Sequence, residues 1–348
     1  LQIPYASVMI ASIIPAFLYY AALFFQVDLE SVKLGVMGAP RESLPRVSKV
    51  LREGWHFVIP FAVLIIGLVW LNWEPEYAAL VATVILAVLA MVVPHKGKRL
   101  SFREVLDAIV SAGGAAVDII AITAIAGILI GAMSITGVAF SLTQQLLTIS
   151  GGSLGLLLVI TAIAAFILGL PLPTTGVYII LATLAAPALV QAGIPAMQAH
   201  LFVLFNGILG MVTPPVALAA FAAATIARSD QWQTGWTAMR IGWCAYFLPF
   251  MFVYTPALIM NDSPLMVVVH VLLSLLGIFI GTAAVVGYCF GRVSWPFRIA
   301  YALIGLSLLV QPRMFDGAWY VIGVGAVLGI AAIVREWVLA KARRPAAA

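Results

Sequence analysis

The chain has 348 residues, of which 64% are hydrophobic and only 9% charged, with a formal net charge of +5. A soluble domain carries about 25% charged residues, so this composition cannot cover a water-facing surface, and the solvent of such a chain is largely lipid. Lipid permits only helices or closed barrels, and apolar runs that stay unbroken over roughly 20 residues, with no strand-like alternation, predict an all-α polytopic membrane protein.

In chain order, the apolar runs predict spans at 5–27, 57–73, 77–94, 105–133, 198–227, 238–260, 265–289, 297–311 and 318–337. The charged segment 30–54, with Gly-Ala-Pro at its middle, reads equally as an interfacial amphipathic helix or as a solvated linker. Basic residues gather in alternate loops. Lys33, Arg41, Arg46, Lys49 and Arg52 precede the second span, and Lys96, Lys98, Arg99 and Arg103 follow the third. The turn Trp73-Glu74-Pro75-Glu76 between those spans has none. Carried along the chain, the positive-inside rule places all but Arg313 of the 18 Lys and Arg on the cytoplasmic side, with the tail that holds Arg335, Lys341, Arg343 and Arg344. The positive charge is thus a topology signal and predicts no nucleic-acid partner. Cys244 and Cys289 both lie in apolar runs and form no CxxC or disulfide pattern. The chain opens on Leu1 without a visible signal peptide, which predicts a fragment or a processed chain.

Two interruptions stand out. The first apolar stretch, 153–169, is at the short limit for a span and ends in Gly169-Leu170-Pro171-Leu172-Pro173-Thr174-Thr175-Gly176, after which a second short stretch runs over 177–191. The prolines cannot continue a helix and leave free carbonyls at one helix end and free N–H groups at the next. In a membrane such a break must be buried in protein or line a wet cavity. Residues 153–191 therefore read as a re-entrant hairpin whose tip holds an ion or an anion, or as two crossings joined by an outside turn.

The second interruption lies within 198–227, about 45 Å long if it were one helix. Its middle is Asn206-Gly207-Ile208-Leu209-Gly210-Met211-Val212-Thr213-Pro214-Pro215. It reads as a proline kink, or as a discontinuous helix whose facing ends bind a cation and an anion. Paired interruptions are the best sequence pointer to a midplane site in secondary transporters. The candidate ion- and substrate-binding residues are therefore Gly169, Pro171, Pro173, Thr174, Thr175, Asn206, Gly210, Thr213, Pro214 and Pro215, with Thr174 and Thr213 as hydroxyl ligands for a cation. Pro173 and Pro214 should lie at similar depth.

Asp118 is the clearest ionisable residue inside a span; it reads as a structural, hydrated carboxylate or as a proton relay. Gly127, Gly131, Ser134 and Gly137 suggest close helix packing, His200 an interfacial position, and Trp232, Trp236 and Trp243 an aromatic belt. No Walker motif supports ATP hydrolysis, and no nucleophile–base pair or cofactor motif supports an enzyme. Transport is the reading carried forward, against an intramembrane enzyme or a structural membrane protein.

The stretch FILGLPLPTTGVYIILATLAAPALVQAGIPAMQAHLFVLFNGILGMVTPPVALAAFAAATIA, with GWTAMRIGWCAYFLPFMFVYTPALIM after it and GGAAVDIIAITAIAGILIGAMSITGVAFSLTQQLL before it, resembles the fused membrane component of tripartite ATP-independent periplasmic (TRAP) transporters, TAXI subfamily. The resemblance covers roughly residues 1–262, and the last helices are similar to the extra C-terminal ones of that subfamily. It implies an elevator-type fold with two inverted repeats, each a hairpin and a broken helix, in a bacterial inner membrane. It also implies ion-driven import, by sodium or protons, of a small organic anion such as a dicarboxylate or acidic amino acid, delivered by a periplasmic substrate-binding protein. On this basis 1–103 would be scaffold helices with a cytoplasmic amphipathic loop. Residues 104–228 would be one repeat, with hairpin 153–191 and broken helix 198–227, and 229–348 C-terminal helices with a basic cytoplasmic tail. The resemblance places the first repeat before Leu1, so the missing N-terminal half of the permease would be a further partner.

Overall fold

The computed structural model describes residues 3–36, 38–170 and 174–343. Among them the regular structure is helical: α1 (Tyr5–Leu34), α2 (Val47–Gly54), α3 (Val58–Val69), α4 (Pro75–Val92), α5 (Phe102–Thr136), α6 (Val138–Ser150), α7 (Leu154–Gly169), α8 (Thr174–Leu184), α9 (Ala186–Gln191), α10 (Ala196–Ile208), α11 (Leu218–Ala227), α12 (Gln231–Ile241), α13 (Leu248–Tyr254), α14 (Pro264–Val286), α15 (Trp295–Leu309) and α16 (Ala318–Arg343). Tyr5–Leu34, Val47–Val69, Pro75–Val92, Pro264–Val286 and Ala318–Ala342 are long and apolar enough to cross a bilayer. Large apolar side chains such as Phe24, Phe61, Val84, Leu272 and Val327 stand exposed on them, the outward faces that a lipid solvent requires. The protein is an all-α polytopic membrane protein.

Several predicted spans are redrawn. The second begins at Val47 rather than at 57, because α2 and a 3-10 turn (Trp55–Phe57) run on into α3 as one segment. The single span expected at 238–260 is instead α12, a 3-10 turn (Trp243–Tyr246), α13 and another 3-10 turn (Pro256–Ile259). Gly242 and Pro256 mark the ends of its pieces, positions where helix propensity fails. The span expected at 297–311 is α15, only 15 residues, or about 23 Å at 1.5 Å per residue.

The chain divides into two compact units, Leu1–Ile10 with Met37–Ile125, and Ala11–Val36 with Ala126–Ala348. In the first, α3 and α4 pair closely. Gly67 admits the Trp73 ring, to which a Cβ at that position would come within 2.7 Å, and Ala78 and Ala82 are buried. The turn after α4 is closed by backbone bonds in both directions between His95 and Lys98. Helix α5 opens on a capping box: the Ser101 N–H and Oγ donate to the Glu104 carboxylate at 2.7 and 2.8 Å, and the Glu104 N–H donates back to Ser101 Oγ. These bonds hold the Glu104 pKa below its ordinary range.

In the second unit α14, α15 and α16 form one bundle. Helices α14 and α15 approach backbone to backbone, since a Cβ at Gly305 would come within 2.9 Å of Gly281 Cα. Such contact is available only to small residues. The C-terminal carbonyls of α14 are taken by cations from two directions. Lys33 Nζ donates to Val286 O at 2.7 Å, and Arg298 donates to Ala284 O and Val285 O at 2.9 Å each. Lys33 and Arg240 also lie 3.9 and 3.4 Å from the Glu30 carboxylate. Buried Glu336 accepts from Tyr301 and from Arg335.

Candidate functional site

Ser153 caps α7 by accepting from the Leu156 N–H. The buried side of α7 is Leu157, Leu158, Thr161, Ala162, Ala165 and Gly169, a stripe at helical spacing that narrows toward its end. It packs on α10, as does α8. The narrowing ends in direct backbone contact. A Cβ built on Gly169 would lie 2.8 Å from the Gly207 carbonyl carbon and 2.9 Å from its Cα. One built on Gly210 would lie 3.0 Å from Leu170 Cα and 3.2 Å from Gly169 O. On its other side Gly207 faces Leu181 of α8, which a Cβ there would approach to 2.6 Å. The last turn of α10 therefore sits between the two short arms, and the end of the first arm rests on the start of the second interruption.

That interruption is a true break and not a kink. Helix α10 ends at Ile208, a 3-10 turn covers Leu209–Met211, and the chain then runs without helix until α11 begins at Leu218. The Pro214–Pro215 peptide is cis, and Ala217 has a left-handed backbone, φ 40°. Helix α12 covers the break from one side at Gly235, where a Cβ would come to 3.0 Å from Pro214 Cγ.

The predicted site residues divide into groups. Gly169 and Gly210 meet through backbone. Thr213 is buried; its hydroxyl donates to Leu209 O at 2.7 Å and shares a hydrogen bond with the Tyr246 hydroxyl. With its proton on Leu209 O, Thr213 accepts from Tyr246. Asn206 is buried, and its amide N–H₂ donates back to Phe202 O at 2.8 Å within its own helix. Thr174 and Thr175 open α8 and are exposed, at the helix end whose first N–H groups have no intrahelical partner. Pro214 is buried and Pro215 exposed. Pro171 and Pro173 lie outside the described residues, and so does the Asp118 side chain on α5. Among the described residues no group of three His, Cys, Asp or Glu could hold a metal ion.

Sequence reasoning missed Tyr246, which reaches Thr213 across 33 residues of chain and carries no local signal within an apolar run. It also left His200 without a partner. Its Nδ1 lies 3.0 Å from the Tyr178 hydroxyl, a link between α8 and α10.

A family model described as "Tripartite ATP-independent periplasmic transporter, DctM component" matches residues 1–266. The chain belongs to this family. No curated protein and no solved structure matches it. A DctM component is part of a transporter and not an enzyme, and it works with a periplasmic binding protein and a small DctQ subunit. The match takes in both interruptions and ends within the first turn of α14, so the α14–α16 bundle lies almost wholly beyond it.

Proposed function

We propose that this DctM component, of the TAXI subfamily, is an elevator-type importer of a small organic anion, such as a dicarboxylate or acidic amino acid, driven by sodium. The binding site is the junction of the re-entrant hairpin 153–191 with the broken helix 198–227. The observation that carries the reading is the backbone contact of Gly169 and Leu170 with Gly207 and Gly210, which brings the two chain interruptions together. Neither has charged side chains to neutralise its helix ends. Each end can be satisfied by a bound ion instead: a cation by carbonyls, Thr174 and Thr213, an anion by the N–H groups opening α8 and α11. The basic loops and tail face the cytoplasm.

The test is uptake in proteoliposomes holding the complete permease and its binding protein. Uptake should follow an imposed inward sodium gradient and should fail when sodium is replaced by choline. Uptake driven by a proton gradient alone would overturn sodium as the coupling ion. Uptake with no gradient would overturn secondary transport.

A further inference from the structure

At the end of the α3–α4 pair, in the first unit, lies a cavity of about 520 Å³, well removed in sequence from the site just described. Its lining includes Lys49, Arg52 and Lys96, three cations, against one carboxylate, Glu53. Glu53 is 3.9 Å from Lys49, so Arg52 and Lys96 leave the cavity a net positive charge. His56 also lines it. This imidazole is 1% exposed, and its Nδ1 has no hydrogen-bond partner among the described residues. The neighbouring His95 is already engaged, its Nδ1 lying 3.2 Å from Glu53 O.

The level of this cavity in the membrane follows from the chain. The apolar runs of α3 and α4 stop at Val58 and Val92, just where the cavity begins, and Trp55 in its wall is 53% exposed. Tryptophan at the end of an apolar run marks the headgroup layer.

We infer that this cavity binds the phosphodiester of an anionic glycerophospholipid such as phosphatidylglycerol, with the acyl chains reaching into the hydrocarbon layer that the apolar runs of α3 and α4 span. Arg52 and Lys96 supply charge-assisted hydrogen bonds to the phosphate oxygens. The net positive lining selects an anionic headgroup over phosphatidylcholine, whose ammonium would meet like charge. The level of the cavity, beside Trp55 at the ends of two apolar runs, selects a lipid over a free phosphate.

The test uses the full chain purified in detergent. Native mass spectrometry would measure binding of phosphatidylglycerol and phosphatidylcholine to the wild type and to the double variant Arg52→Gln/Lys96→Gln. Phosphatidylglycerol should bind the wild type at least tenfold more tightly than phosphatidylcholine, and the double variant should lose that preference. Equal binding of the two lipids by the wild type, or an unchanged preference in the double variant, would overturn the assignment. Millimolar glycerol 3-phosphate should not displace the lipid; full displacement would make this a soluble-phosphate site and overturn the lipid. Should the double variant not fold, quenching by phosphatidylglycerol brominated near the headgroup decides the matter. Trp55→Phe should lose part of the wild-type quenching, and an unchanged quenching curve would refute a lipid at this wall.

Discussion

Replacing Gly169 by alanine tests the contact on which the proposed site rests. The new Cβ would stand 2.8 Å from a backbone carbon of Gly207, where carbon atoms prefer about 3.5–4.0 Å. Neither partner can rotate away, because both are main chain, so α7 and α10 must part by roughly 1 Å. Overpacking of this kind costs about 1–3 kcal/mol. The substitution also removes the intrinsic penalty of glycine in a helix, about 0.5–1 kcal/mol. Gly323→Ala in α16 supplies the control, since a Cβ there meets nothing within 4 Å. The propensity gain is common to both variants, so the difference in their stabilities isolates the overpacking. At roughly 2–4 °C per kcal/mol, Gly169→Ala should melt several degrees below Gly323→Ala in a thermal scan of the purified protein. Equal melting temperatures, or a higher one for Gly169→Ala, would show that the two interruptions do not touch as described.

Thr213→Val and Tyr246→Phe should each cost about 0.5–1.5 kcal/mol in denaturation, and the double variant should cost less than their sum; strict additivity would mean the two hydroxyls do not share a bond. In the complete permease, Thr174→Val with Thr213→Val should lower uptake more than Asp118→Asn; the reverse order would favour a proton relay through Asp118. A cysteine placed by Lys98→Cys or by Arg343→Cys should stay unlabelled by an impermeant maleimide in intact cells; rapid labelling at both would invert the proposed orientation.

The membrane class was legible because it needs only counts of apolar and charged residues. Most helices were legible too, as unbroken runs such as 77–94 and 265–289, which appear as α4 and α14. The reading failed where an apolar run is not a helix. Residues 238–260 look continuous by hydropathy, but Gly242 and Pro256 divide them into turns whose positions are set by packing against other elements. Of the candidate site, the interruptions could be read because prolines and glycines report backbone geometry directly. The pairing of Gly169 with Gly207 could not, since nothing in a glycine says which distant backbone it admits. Tyr246 was hidden for the related reason that a hydroxyl in an apolar run shows its partner only after folding. The cavity around His56 was hidden because 30–54 was read as separate from the helix it opens.

The cations at the end of α14 also fix a length. Lys33 and Arg298 hold three successive carbonyls of one helix end, and one residue of slip along that axis is about 1.5 Å, enough to break all three bonds. The second half of α1 and the start of α15 are therefore indexed to α14 at a single axial register. Leu29, one turn before Lys33, is buried against Ile280 and Ala283 of α14, so adding or deleting one residue between the two would rotate the lysine about 100° away from its carbonyl, and this bundle tolerates changes of side chain far better than changes of count.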